Sequence, residues 1–214
     1  MRAPRPSFWF AALVVAVGAA SAASGATASA LAKGKLLVAG EDLHDPNFFR
    51  TVVLLLEYGD SGALGVVLNR PSEATLTDLM PDHEWTARLG DPVYLGGPVA
   101  LAQAMMVFMT GRDHMDQMQV LEGIHAGWDL DLLERMLVEP RAEERVRIYV
   151  GYAGWGPGQL EAEVARGGWH VFPASESTIF SDDEEELWQT FIERTRTRIA
   201  SPIASEDLFS KPEG

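Results

Sequence analysis

The sequence predicts a mixed α/β fold built on one curved sheet, and three observations carry that prediction. Short apolar runs rich in β-branched residues recur from Lys35 to Phe172. In the first half they are separated by tight-turn clusters, as in hairpins, and in the second half they alternate with stretches of helical spacing. That order suits a mixed, strongly curved sheet with helices packed outside it better than a doubly wound parallel sheet. With 214 residues, 47% of them hydrophobic and 22% charged, the chain is long enough for a single well-buried domain.

Taken in order, Lys35 to Ala39 reads as a short strand and Thr51 to Tyr58 as a longer, nearly continuous apolar one, with Asp45-Pro46-Asn47 marking a turn between them. Gly59-Asp60-Ser61-Gly62 turns the chain into a third strand, Ala63 to Leu68, so the two runs pair as a hairpin buried on both faces. Ser72 to Met80 has helical spacing and is closed by Pro81. Val93-Tyr94-Leu95 is a brief strand that reverses at Gly96-Gly97-Pro98. Met105 to Met109 and Gln117 to Leu121 are expected to pair across the loop 113–116, and Asp129 to Val138 carries a helical stripe that stops before Pro140.

Arg145 to Tyr152 is the strand that leads into a glycine-dense corner, Gly151 to Glu161. There Pro157 presets a first helical turn, and the helix Gln159 to Arg166 follows. Trp169 to Phe172 returns as a strand. Ser181-Asp182-Asp183-Glu184 fits a capping box, with Ser181 as N-cap of a C-terminal helix whose buried stripe includes Leu187, Phe191 and Ile192. The domain thus spans 33–199, and a flexible tail occupies 200–214.

Residues 1–30 differ in kind. Arg2 and Arg5 carry the only charges, Phe8 to Ala20 is apolar, and small residues follow, which is the layout of an export signal. The apolar core is short of the roughly 20 residues that span a bilayer, so no membrane span is expected once this leader is removed. The expected compartment is therefore the periplasm, the alternative being a cytoplasmic protein with a mis-assigned start. Without cysteine the chain has no disulfide, thiolate metal site or thiol nucleophile. A net charge of −14 repels phosphate backbones and argues against direct nucleic-acid binding. The arginines that oppose it locally, Arg141, Arg145 and Arg147, and Arg194, Arg196 and Arg198, read as solvated or ion-paired faces.

Three blocks, Gly65-Val66-Val67-Leu68-Asn69-Arg70-Pro71, Val93-Tyr94-Leu95-Gly96-Gly97-Pro98-Val99, and Gly151-Tyr152-Ala153-Gly154-Trp155 through Gly158-Gln159-Leu160-Glu161, resemble in order and spacing the signature blocks of the YqgE/AlgH family. Asp45-Pro46-Asn47-Phe48 and Trp169 add to the resemblance. It implies a single α/β domain whose mixed sheet rolls into a pseudo-barrel flanked by helices. On activity it implies little: members are mostly uncharacterised bacterial proteins, some labelled transcriptional regulators, with no established catalytic residues. The chain departs from the family pattern at Gly40-Glu41, at Gln103-Ala104 and in its leader.

Each block is a turn at or near a strand end, where a rigid sheet presents donors to a ligand. The expected binding set is Asn69, Arg70, Tyr94, Gly96, Gly97, Gly154, Trp155, Gln159 and Glu161, converging on one pocket for a small molecule or a protein partner. The plainer alternative pairs Arg70 with Glu161 to tie two loops together. The role expected is a non-enzymatic binding or regulatory module, with a hydrolase using the same pocket as the alternative. No catalytic residue, cofactor or metal site is assigned: Gly-x-Ser-x-Gly and Gly-Lys-Ser/Thr are absent, and His44, His83, His114, His125 and His170 lack zinc-ligand spacing. Met105, Met106, Met109, Met115 and Met118, grouped around His114, could suit Cu(I), but read more simply as core and loop fillers. No pattern in the sequence encodes an oligomeric state.

Mass spectrometry of the N-terminus in the native cell is expected to find a chain that begins between Ser21 and Leu31. A chain that begins at Met1 or Arg2 would return the protein to the cytoplasm.

Overall fold

The computed structural model describes residues 31–113 and 117–200. Nine strands form one sheet: β1 Lys35–Ala39, β2 Val52–Gly59, β3 Gly62–Val67, β4 Tyr94–Leu95, β5 Val99–Met109, β6 Met118–Leu121, β7 Ile124–Gly127, β8 Arg145–Trp155 and β9 Trp169–Pro173. Their order is β6-β7-β5-β8-β3-β2-β1-β9, with β4 set against β8. Every pairing is antiparallel except β4 with β8, so the sheet is mixed as expected, and it stays open, with β6 and β9 at its edges. The helices are α1 Leu76–Leu79, α2 Leu130–Val138, α3 Gln159–Ala165, α4 Glu176–Ile179 and α5 Glu184–Ala200, with a 3₁₀ turn at Glu84–Arg88. Among the described residues no helix is long and apolar enough to cross a membrane.

Alternation along the central strands builds a core on each face of the sheet. Met106 and Phe108 of β5 and Ile148 of β8 pack with Leu132, Leu133 and Met136 of α2. Their neighbours Val107, Tyr149, Ala153 and Trp155 join the larger core, which holds β1, β2, β3, α3 and α5. The continuous apolar run of β2 is buried on both sides from Val52 to Leu56, which explains why it does not alternate in sequence.

Most expected elements form, and four details are corrected. Gln117 to Leu121 does not pair with β5. Instead β7, lying inside a stretch without an assigned element, takes that place with Met106 opposite Gly127 and Met109 opposite Ile124, and β6 pairs with β7. The helix expected over Ser72–Met80 is one turn, opened by a capping box between Thr75 and Asp78. Pro157 precedes the helix it was expected to start, since Gly158 caps α3 with φ +73. Ser181 does not cap the last helix; α5 begins at Glu184, whose carboxylate is held elsewhere.

Between β4 and β5 the chain passes from one side of β8 to the other, and it does so backbone on backbone. A Cβ on Gly96 would lie 2.3 Å from the Gly151 carbonyl oxygen, one on Gly97 2.3 Å from the Tyr152 carbonyl carbon, and one on Gly151 2.5 Å from the Gly97 carbonyl oxygen. Gly97 (φ +153) and Gly151 (φ +69) also hold conformations that side chains resist. Gly151→Ala is expected to destabilise the fold by about 2–4 kcal/mol, from overpacking plus backbone strain. Urea denaturation checks this, with Gly123→Ala, where a Cβ meets nothing, separating the strain from the clash.

Candidate functional site

The three blocks meet at this crossing. Gly96 donates to the Val150 carbonyl and accepts from the Val67 amide, Leu95 donates to the Arg70 carbonyl, and Pro71 bridges to Tyr94. Their side chains, however, turn to internal partners. The Asn69 amide oxygen accepts from the Val52 amide at 2.8 Å while its nitrogen donates to the Arg50 carbonyl, fixing the entry to β2. Arg70 donates to the carbonyls of Asn47, Pro46 and Phe49, and so clamps the turn 45–50. It does not pair with Glu161, contrary to the plainer alternative. Glu161 instead accepts from the Tyr58 hydroxyl at 2.7 Å, and that bond pushes the phenol's pKa up.

Trp155 is buried, with Phe48 stacked on it at 5.9 Å and Trp169 set edge-on at 5.9 Å. Both indole N–H groups donate to one oxygen of Glu163 at 2.9 Å, and Gln159 donates to its other oxygen. Arg70 and Trp155 are thus joined through the turn that carries Phe48, rather than facing each other across an opening. Gly154 lies opposite Leu64 in the ladder.

Tyr94 belongs to a buried polar centre. Its hydroxyl donates to Glu184 at 2.5 Å, its ring lies 4.7 Å beneath the Arg147 guanidinium, and burial drives its pKa well above the ordinary phenol value. Arg147, 3% exposed, also donates to the carbonyls of Ile179 and Ser181 and to Glu184 at 3.2 Å. Of the arginines read as ion-paired or solvated, this one is ion-paired, and so is Arg196, with Glu41. A buried guanidinium needs such a full set of acceptors, and Glu184 supplies the charge.

A wide opening lies elsewhere, bordered by β2, β3, β5, β6, β7 and β8. A cleft of about 570 Å³ is lined by Glu57, Leu64, Gln103, Ala104, Met105, Met118, Gly127, Trp128, Gly151 and Tyr152. Of these, only Gly151 and Tyr152 fall within the three blocks, and neither was in the expected set. The apolar residues make its wall, and Glu57 and Gln103 stand exposed at its rim. Glu57 is aimed there by a bulge: Leu55 lies opposite Gly65 and Glu57 opposite Leu64, so Leu56 is an extra residue in β2. Met105 and Met118 were visible in the sequence as part of the methionine group, but Met106 of the same group packs on the other face of the sheet. His114 and Met115 lie outside the described residues. Among the described residues no three His, Asp or Glu side chains gather as a metal site.

Glu163→Leu is expected to cost about 2–4 kcal/mol, because two buried indole N–H groups lose their acceptor, while Glu163→Gln keeps one acceptor oxygen and costs less. Thermal unfolding of the two variants, followed by near-ultraviolet circular dichroism of the tryptophans, checks the order.

A family model of AlgH-like proteins matches residues 36–200. A UPF0301 protein of Streptomyces avermitilis is 38% identical over 190 residues, covering 83% of this chain and 93% of that protein. Another from Streptomyces coelicolor is 40% identical over 183 residues with the same coverage. The solution structure of the AlgH protein from Pseudomonas aeruginosa superposes with a TM-score of 0.64 at 26% identity, covering 87% of this chain and all of that one. A crystal structure of a Corynebacterium diphtheriae protein matches with the same score and identity, covering 77% and 87%. The three blocks, the open rolled sheet and these matches agree: the chain belongs to the AlgH-like, or UPF0301, family.

Proposed function

We propose that the protein works by binding, as a regulatory or interaction module, and that its ligand seat is the apolar cleft at the open end of the sheet. The single observation that carries this reading is the lining. A volume of about 570 Å³ falls in the range of small-molecule and side-chain pockets, and its wall is Leu64, Met105, Met118, Trp128 and Tyr152. Thioethers adapt to ligand shape, and an indole and a phenol add contact area at low entropic cost. Among the described lining residues there is one carboxylate and one phenol, but no histidine, serine or threonine to act as base or nucleophile. That inventory favours recognition over hydrolysis.

In this reading the nine strand-end residues support the frame of the fold rather than line the seat. Gly96 and Gly97 permit the crossing that puts Gly151 and Tyr152 at the cleft, while Asn69 and Arg70 fasten the far end of the β2–β3 hairpin, at Val52 and the 45–50 turn. The module acts outside the cytoplasm, as the leader-like residues 1–30 suggest; these lie outside the described residues, and the family match begins at residue 36.

An environment-sensitive apolar dye titrated into the protein is expected to bind with enhanced emission, and Trp128→Ala combined with Met118→Gln to weaken it roughly tenfold. Both side chains lie at a partly open surface, so far-ultraviolet circular dichroism should not change. Dye binding that is indifferent to both substitutions would move the ligand seat away from the cleft.

A further inference from the structure

Resting on the cleft as ligand seat, we infer that its occupant is an extended peptide segment of a partner protein, with a large apolar side chain in the cleft and a lysine or arginine beside it. Three observations define that chemistry. The first is an open strand edge. β7 pairs with β5 only as far as Gly127 opposite Met106; then Trp128 turns away and Asp129 caps α2, accepting from the Leu132 amide at 2.9 Å. Ala104 and Met105 of β5 keep their partners on β8, Val150 and Tyr149, but on the side that β7 leaves no strand among the described residues accompanies them. Backbone groups at such an edge are matched by another extended backbone.

The second is the position of the cleft alongside that edge. Gln103, Ala104 and Met105 form one border, Gly127 and Trp128 another, and Met118 and Leu64 part of the wall. A chain laid along Ala104 and Met105 would place alternate side chains toward the cleft, as strand geometry dictates, and the volume accommodates one or two large apolar groups. Gln103 at the rim adds an amide that can bond to the peptide backbone on either polarity.

The third is charge. Among the described lining residues Glu57 is the only carboxylate, and the bulge at Leu56 points it to the rim. The chain carries −14 overall, so a cationic segment is drawn in from a distance and a cationic side chain has a specific partner on arrival. A neutral lipid-like ligand would use the wall and leave both the edge and Glu57 unemployed.

The experiment uses the full chain and fluorescence polarisation with synthetic nine-residue peptides bearing a central Leu-Arg or Phe-Lys pair in an Ala/Thr background. Binding is expected, weakening two- to fivefold with Glu57→Gln or with a central acidic residue, and tenfold or more when alternate peptide nitrogens facing β5 are methylated. Peptide binding that is unmoved by N-methylation would overturn strand addition and leave a simple apolar pocket. Binding of the apolar dye without binding of any peptide would overturn the inference while the cleft remains the ligand seat. Failure of both dye and peptides would remove the cleft reading itself. If only the chain starting at Leu31 bound the peptides, the protein's own N-terminal segment would be the occupant, and the partner would be overturned.

Discussion

The constraint on which the rest of this structure depends is a contact between two backbones. To place β4 on one side of β8 and β5 on the other, the chain passes across Gly151 and Tyr152 at Gly96 and Gly97, with atoms so near that no Cβ fits on any of the three glycines. The crossing is what makes the sheet mixed, since β4 runs parallel to β8 while every other pairing is antiparallel. It also joins the end of β3 to β8 through the Val67 amide and the Gly96 carbonyl. Hydrogen bonds of this kind each contribute modestly to stability, but a misplaced crossing would leave several buried backbone groups unpaired together, which costs far more.

A second tie fastens the outer layer to that frame. Arg147 on β8 is buried under the segment that leads from α4 into α5, and it is satisfied by the Ile179 and Ser181 carbonyls and by Glu184. Glu184 in turn accepts from Tyr94, which sits directly beside the crossing. Desolvating the pair costs several kcal/mol per ion, so its net contribution to stability is small, and its effect is to fix which way α5 leaves the sheet. The same requirement explains the displaced helix start. Glu184 could either close a capping box with Ser181 or neutralise a buried guanidinium, and the second need is the larger.

Much of this was legible in the sequence, and what was not has a common cause. Strands with strong apolar runs, such as Lys35–Ala39 and Val52–Gly59, and the helix Leu130–Val138 lie where periodicity puts them. The glycine-dense corner from Gly151 reads in the sequence as a place of tight backbone specification, and the backbones of the three blocks do come together. The short strand Ile124–Gly127 escaped because Ile-His-Ala-Gly carries almost no propensity; it is held by its neighbours on both sides. The partners of Arg70, Glu161 and Trp155 escaped too, since a side chain's destination depends on which loop folds over it. Arg70 finds carbonyls of the 45–50 turn, and Phe48 of that turn covers Trp155.

The location of the cleft follows from irregularity rather than from pattern. In a regular curved sheet the side chains of alternating positions fill the concave face. Here the register slips once in β2 at Leu56 and once in β5, where Val99 faces Tyr152 but Ala104 faces Val150. Gly127 and Gly151 add positive φ values of +157 and +69 at the same end. Each of these departures borders the opening: Glu57, Gln103, Ala104, Gly127 and Gly151 all line it. Bulges of this kind bend a strand and redirect the side chain that follows. Gly151, one of the three glycines that secure the crossing, also lines the cleft, so a residue that most constrains the fold is the one that borders its opening.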